Sequence, residues 1–131
     1  MITIRTAEPS DVAQLAALLE ELFAIEADFA FVRNKQIQGL KQLLASEKAA
    51  LFVAESDRRV VGMCSLQTLI STAEGGPVGL VEDLIVTEAF RHQGIGEKLL
   101  ALCCTRTGAR LGIPSKEEHR TWLEQHRDIH V

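Results

Sequence analysis

The sequence predicts an α/β fold, a mixed central sheet flanked by helices, and three observations carry that prediction. Apolar residues at helical spacing mark two early segments, with Leu15, Ala16, Leu19, Leu22 and Phe23 in one and Ile37, Leu40, Leu43 and Leu44 in the other. Short apolar runs bounded by polar turns, at residues 2–4, 50–54 and 60–68, read as strands. Residues 80–100, LVEDLIVTEAFRHQGIGEKLL, then pass from an apolar run through a glycine-spaced loop into an amphipathic continuation, the pattern of strand, loop and helix. Leu80, Leu84 and Val86 alternate with Val81 and Ile85, which predicts a strand covered on both faces, and Glu82 and Asp83 interrupt that pattern.

The opening strand is short, Ile2 and Ile4 around Thr3, and Pro9 stands near the first position of the helix that follows. Gln14, Glu20 and Glu21 lie off the apolar stripe of that helix. Residues 26–34 have no clean period, and their Phe29, Phe31 and Val32 are expected either to tuck against the core or to wall a pocket. A second helix is expected from about Asn34 to near Ser46, weakened somewhat by Gly39. Two strands then form a hairpin over the polar turn at 55–59, where Arg58 and Arg59 are solvated charges. Residues 71–77, STAEGGP, break the chain before the central strand. The helix after the glycine loop is expected from Gly96, with Leu99, Leu100, Leu102, Cys103, Ala109 and Leu111 available for burial and Gly112 as its C-terminal cap. Cys103 and Cys104 read as small helix residues and not as nucleophiles, because no histidine is close in sequence.

A chain of 131 residues with 47% apolar content has room for one core and no second domain. A net charge of -4 argues against nucleic acid as a partner, since phosphate backbones are held by excess lysine and arginine. The three cysteines are odd in number and form no Cys-x-x-Cys, so neither a disulfide framework nor a zinc site is indicated, and no metal is expected. No apolar run approaches a membrane span and the first residues carry no apolar leader, so a cytoplasmic chain away from membranes is expected.

The loop Arg91-His92-Gln93-Gly94-Ile95-Gly96 puts two glycines where a helix begins, so that backbone N–H groups can approach a bound anion without a Cβ in the way. It is not a nucleotide P-loop, which needs Gly-Lys-Ser/Thr, nor a dinucleotide fingerprint, because Leu99 stands where the third glycine belongs. The pattern Arg-x-x-Gly-x-Gly after a strand ending in Leu-x-Val resembles motif A of the GNAT superfamily of N-acetyltransferases, with Arg91, Gly94 and Gly96 at the matching positions. The opening Ile-Arg-x-Ala-x-x-x-Asp is similar to the first strand and helix of that family, and the element order agrees over residues 1–112. The resemblance implies acetyl-CoA as cosubstrate, its pyrophosphate held by amides of Arg91, His92, Gln93, Gly94, Ile95 and Gly96, and its pantetheine arm bonded along Leu84, Ile85 and Val86. It also implies a backbone N–H at Leu84 to Val86 that polarises the thioester carbonyl, and an acceptor site framed by the first two helices. His92 is a solvent-facing loop residue or a phosphate neighbour rather than a base.

Beyond Gly112 the family's later strands are not recognisable. Pro114 removes a ladder donor, residues 115–118 form a capping box, and Trp122, Leu123, His126 and Ile129 fall at helical spacing. Residues 113–131 are thus expected to be a divergent helical tail in place of the family's C-terminal strands. The tyrosine that usually protonates the departing thiolate in this family has no counterpart, since the sequence contains no tyrosine. A sheet left open in this way is expected to find a second copy, giving a homodimer with Trp122 as a contact.

The chemistry that these residues imply is acetyl transfer to an amine, with Glu82 or Asp83 as candidate acceptor of the amine proton. The alternative is a catalytically impaired or non-catalytic acyl-CoA-binding protein, which the missing tyrosine favours.

Overall fold

Alternating apolar residues along the strands require a cover on each face, and helices supply it from both sides. In the structure, a computed structural model that describes residues 1–26, 29–106 and 110–111, the order is β1 (Ile2–Thr6), a one-turn 3-10 helix (Pro9–Asp11), α1 (Val12–Ile25), α2 (Arg33–Ala45), β2 (Ala49–Ser56), β3 (Arg59–Ser71), β4 (Gly76–Val86), a second 3-10 turn (Glu88–Phe90), α3 (Ile95–Arg106) and β5 (Arg110–Leu111). The strands lie side by side in chain order. Neighbours are antiparallel from β1 to β4, and β5 runs parallel to β4 opposite Val78 and Gly79, so the sheet is mixed, as expected.

Leu15, Leu19 and Leu22 of α1 and Leu40 of α2 are buried against Leu51, Val53, Met63 and Ile85 on one face. Ile95, Leu99 and Cys103 of α3 are buried against Phe52, Ala54, Val61, Cys64 and Val86 on the other. Cys64 and Cys103, not joined by a disulfide, have their sulfurs 3.4 Å apart in that second core, which agrees with reading Cys103 as a packing residue. Among the described residues no helix is long and apolar enough to cross a membrane.

Three local expectations are corrected. The breaker at 71–77 shrinks to residues 72–75, because β3 and β4 continue into it and pair Ile70 with Pro77; Gly75, at φ 75°, closes the turn with its N–H on the Ser71 carbonyl at 2.9 Å. The helix expected to reach Leu111 ends at Arg106, and Arg110 and Leu111 are in a strand. Thr105, Thr107 and Gly108 are weak helix formers, and two residues of backbone pair with β4 instead. The third correction is the alternation of β4, which a bulge shifts as described below. The expected tail helix, its Trp122 and its dimer contact lie outside the described residues.

Arg5 of β1 fastens the first helix to the sheet. Its guanidinium grips both oxygens of Asp11 at 2.8 and 2.9 Å, and its Nε donates to Glu55 of β2 at 2.7 Å. Asp11 also accepts the Glu8 N–H at 2.7 Å. These bonds, those from Arg5 first, hold the buried Asp11 carboxyl below its ordinary range even though burial pushes it up. A carboxyl depressed by folding stabilises fully above the unfolded value of about 3.9, and its contribution is lost as pH falls through the folded value. Asp11→Asn should therefore cost about 1–3 kcal/mol at neutral pH. The gap between wild type and variant should close on acidification from about pH 5 to about pH 2. Urea unfolding across that range checks both, and a gap independent of pH would remove the charge from the explanation.

Candidate functional site

The β4 strand carries one residue more than β3 can pair. Met63 stands opposite Ile85 and Ser65 opposite Glu82, so Asp83 and Leu84 together face Cys64. Asp83 takes up the excess at φ 53°, a left-handed conformation that aspartate tolerates better than most residues. Alternation shifts by one position: Val81, Leu84 and Val86 all pack on the α3 side, while Ile85 packs on the α1 and α2 side. Glu82 and Asp83, adjacent in sequence, both line the cleft on the α1 and α2 side. The hydroxyl of Ser65, itself buried, donates to the Glu82 carbonyl at 2.9 Å and so satisfies backbone beside the irregular pairing.

That cleft, about 1120 Å³, lies between α1, α2 and the β3–β4 ribbon. Leu19, Leu22 and Phe23 of α1 and Leu43 of α2 give it apolar walls, to which Phe29 adds. Phe29 is 58% exposed with its ring 5.6 Å from that of Phe23, whereas Phe31 packs edge-on to Phe23 and into the core, so both expectations for this loop hold, each for a different phenylalanine. Glu26 joins Glu82 and Asp83 at the cleft. Burial first, and then the charges of Glu82 and Glu26, push the Asp83 carboxyl up to about 6.

Beyond Val86 the chain is pinned and then opens. Thr87 N–H bonds the Val61 carbonyl at 2.8 Å, Phe90 N–H the Thr87 carbonyl at 2.9 Å and Arg91 N–H the Glu88 carbonyl at 3.3 Å. His92 and Gly94 both have positive φ, 63° and 79°, and left-handed residues set among others are the backbone pattern from which anion-binding concavities are built. A Cβ at Gly94 would meet nothing within 4 Å, so space lies open there. The first bond of the α3 ladder runs from Lys98 N–H to the Gly94 carbonyl at 3.1 Å, which leaves the amides of Ile95, Gly96 and Glu97 as the free donors of the helix start. His92 and Gln93 are exposed, while Ile95 and Gly96 are buried.

The expected residues thus fall into two groups on one strand-loop-helix unit. Glu82 and Asp83 face the cleft, and His92 to Gly96 form the amide cradle. Leu84, Ile85 and Val86 join them; the latter two pair with Met63 and Gly62 on the β3 side, and on the other edge β5 pairs with Val78 and Gly79 among the described residues. Arg91 is turned inward: its Nε donates to the Val86 carbonyl at 2.8 Å and its Nη2 to Glu21 at 2.9 Å. Glu21 and Ser65 were not identified from sequence. In the sequence Glu21 only lies off the apolar stripe of α1, and nothing local reports bonds to partners 66 to 70 residues away.

Comparison with known proteins agrees with this fold. Residues 47–129 match the family model of the acetyltransferase (GNAT) domain, a match that runs past Gly112 through most of the segment read as a divergent tail. An uncharacterised N-acetyltransferase of Archaeoglobus fulgidus is 32% identical over 99 residues, which cover 74% of this chain and 67% of the relative. The crystal structure of a predicted acetyltransferase with acetyl-CoA from Clostridium acetobutylicum superposes with a TM-score of 0.76 at 13% identity, covering 96% of this chain and 88% of that one, a likeness of fold. An integron cassette protein from the mobile metagenome of a Cole Harbour salt marsh superposes with a TM-score of 0.73 at 28% identity, over 82% of this chain and 73% of the other.

The raised Asp83 carboxyl has a measurable consequence. Because its folded value, about 6, lies above the unfolded one, the native chain holds a proton that the unfolded chain releases, and stability falls as pH rises between the two values. Asparagine keeps the left-handed backbone accessible, so Asp83→Asn isolates the charge and should raise stability at pH 7 relative to pH 4. Carboxyl-carbon NMR should place the Asp83 midpoint near 6 and move it down in Glu26→Gln. A midpoint in the ordinary aspartate range would refute the electrostatic account.

Proposed function

Because the chain belongs to the GNAT family of acetyltransferases, we propose that it transfers an acetyl group from acetyl-CoA to an amine, with Asp83 as acceptor of the amine proton. The observation that carries this reading is the bulge, which brings a carboxylate of raised pKa to the same strand that leads into the amide cradle.

Acetyl-CoA supplies an acetyl group activated as a thioester. The open amides at the start of α3, the positive φ angles of His92 and Gly94 and the free space before Gly94 fit its pyrophosphate. Backbone N–H groups within Leu84 to Val86 orient the acetyl end and polarise its carbonyl. An amine arrives as an ammonium and must lose a proton before it attacks. Asp83, titrating near 6, is ionised at neutral pH yet more basic than an ordinary carboxylate, which suits it to take that proton. The neutral amine then attacks the thioester carbon, the tetrahedral intermediate collapses with cleavage of the C–S bond, and coenzyme A leaves as the thiolate, which solvent protonates. Glu82, more exposed on the same cleft, and Glu26 add negative charge that attracts the ammonium. Three carboxylates beside an apolar wall favour a cationic acceptor with an apolar body and no anionic group of its own.

The absence of tyrosine from the sequence supports a second reading, a protein that binds acyl-CoA without turning it over. Calorimetry with acetyl-CoA and a thiol-release assay across an amine panel separate the two. Amine-dependent release of coenzyme A is expected, with kcat/KM rising through pH 6 and falling about 10²- to 10⁴-fold in Asp83→Asn. Binding without turnover on any amine selects the second reading, and an unaltered pH profile in Asp83→Asn moves the base elsewhere.

A further inference from the structure

We propose that Glu21 is a positioning residue for the pyrophosphate of acetyl-CoA, setting the amide cradle from α1 without touching the ligand; this rests on the acetyltransferase reading above. Both of its carboxylate oxygens are committed to the β4–α3 connection. Oε2 accepts the Thr87 hydroxyl at 3.0 Å, and Oε1 accepts the Glu88 N–H at 3.0 Å and the Arg91 Nη2 at 2.9 Å. Arg91 passes the constraint back to the sheet, since its Nε holds the Val86 carbonyl at 2.8 Å. One side chain therefore fixes the first two residues and the last of the segment from Thr87 to Arg91.

Its position explains why such a fixture bears on the ligand. The amides that would receive a pyrophosphate begin one residue after Arg91, and no backbone bond holds His92 or Gln93 among the described residues. The direction of those donors is then inherited from Arg91. Donors aimed in advance lose less on binding than donors that must be ordered by the ligand. The matching arginine of motif A works here as a strut whose charge is matched by Glu21, with side chains 20% and 30% exposed, and a strut of this kind needs its anchor. The anchor stands on the same helix that walls the cleft through the neighbouring Leu19, Leu22 and Phe23.

Calorimetry with coenzyme A and with pantetheine, which has the thiol arm but no phosphate, tests the assignment in the full chain. Glu21→Ala should weaken coenzyme A about tenfold or more and leave pantetheine unchanged. Glu21→Gln, whose single carbonyl oxygen can still accept from Glu88 and Arg91 while its amide nitrogen can only donate to the Thr87 oxygen, should lose less. In turnover the loss should appear in KM for acetyl-CoA and not in KM for the amine. If Glu21→Ala does not fold, Glu21→Gln and Thr87→Val carry the same comparison between the two ligands. Equal losses for both ligands would make Glu21 a general support of the fold, and unchanged or tighter coenzyme A binding, as from an Arg91 freed to reach phosphate, would overturn the proposal. Wild type that binds no coenzyme A would instead overturn the acetyltransferase reading on which it rests.

Discussion

The structure depends on one surplus residue in β4. A sheet strand has period two, so inserting a residue exchanges the faces of everything that follows it. Without the insertion, Glu82 would face the cleft and Asp83 the α3 core, where an unpaired carboxylate costs several kcal/mol. With it, both carboxylates face the cleft, and the apolar sequence resumes correctly as Leu84 on one face and Ile85 on the other. The insertion disturbs the ladder, and the buried Ser65 hydroxyl bonded to the Glu82 carbonyl is part of what makes the disturbance tolerable.

From that point the geometry of the site follows along the chain. Ile85 and Val86 return to regular pairing with β3, so the strand leaves the sheet in a fixed direction, and the Glu21 contacts carry that direction through to Arg91. The sheet positions the cleft carboxylates, and α1 positions the loop. The same helix buries Leu15, Leu19 and Leu22 against the sheet, so its placement is fixed by apolar packing, and its polar face borrows that rigidity.

Much of this was legible in the sequence because periodicity reports burial. The strand-loop-helix unit, both early helices, the hairpin and the glycine cradle all have local signatures, and their observed bounds fall within a few residues of those expected. The bulge announced itself only as an interruption, since Glu82 and Asp83 in an apolar run could equally mark an exposed edge. The bonds of Glu21 left no local mark at all, because a glutamate on the polar side of a helix has the same sequence signature whether it meets water or an arginine 70 residues on. The end of α3 is not legible locally, because Ala109 and Leu111 continue a helical stripe in the sequence, while pairing of Arg110 and Leu111 with Val78 and Gly79 is a tertiary contact that overrides it.

Two aspartates show how the chain separates support from chemistry. Asp11 is buried, but Arg5 meets both of its oxygens and the Glu8 amide adds a third donor, so its carboxyl is pushed down and its charge works for the fold. Asp83 is half-buried, held at a positive φ, and faces two like charges, so its carboxyl is pushed up and its charge works against the fold. A left-handed backbone alone costs an aspartate of order 1 kcal/mol, and the neighbouring charges add to that. The buried Met63, Cys64, Ile85 and Val86 on either side of the bulge hold the arrangement in place. A residue that opposes stability through its conformation, its solvation and its neighbours at once, in the wall of a cleft, has the surroundings that the proposed role of proton acceptor requires.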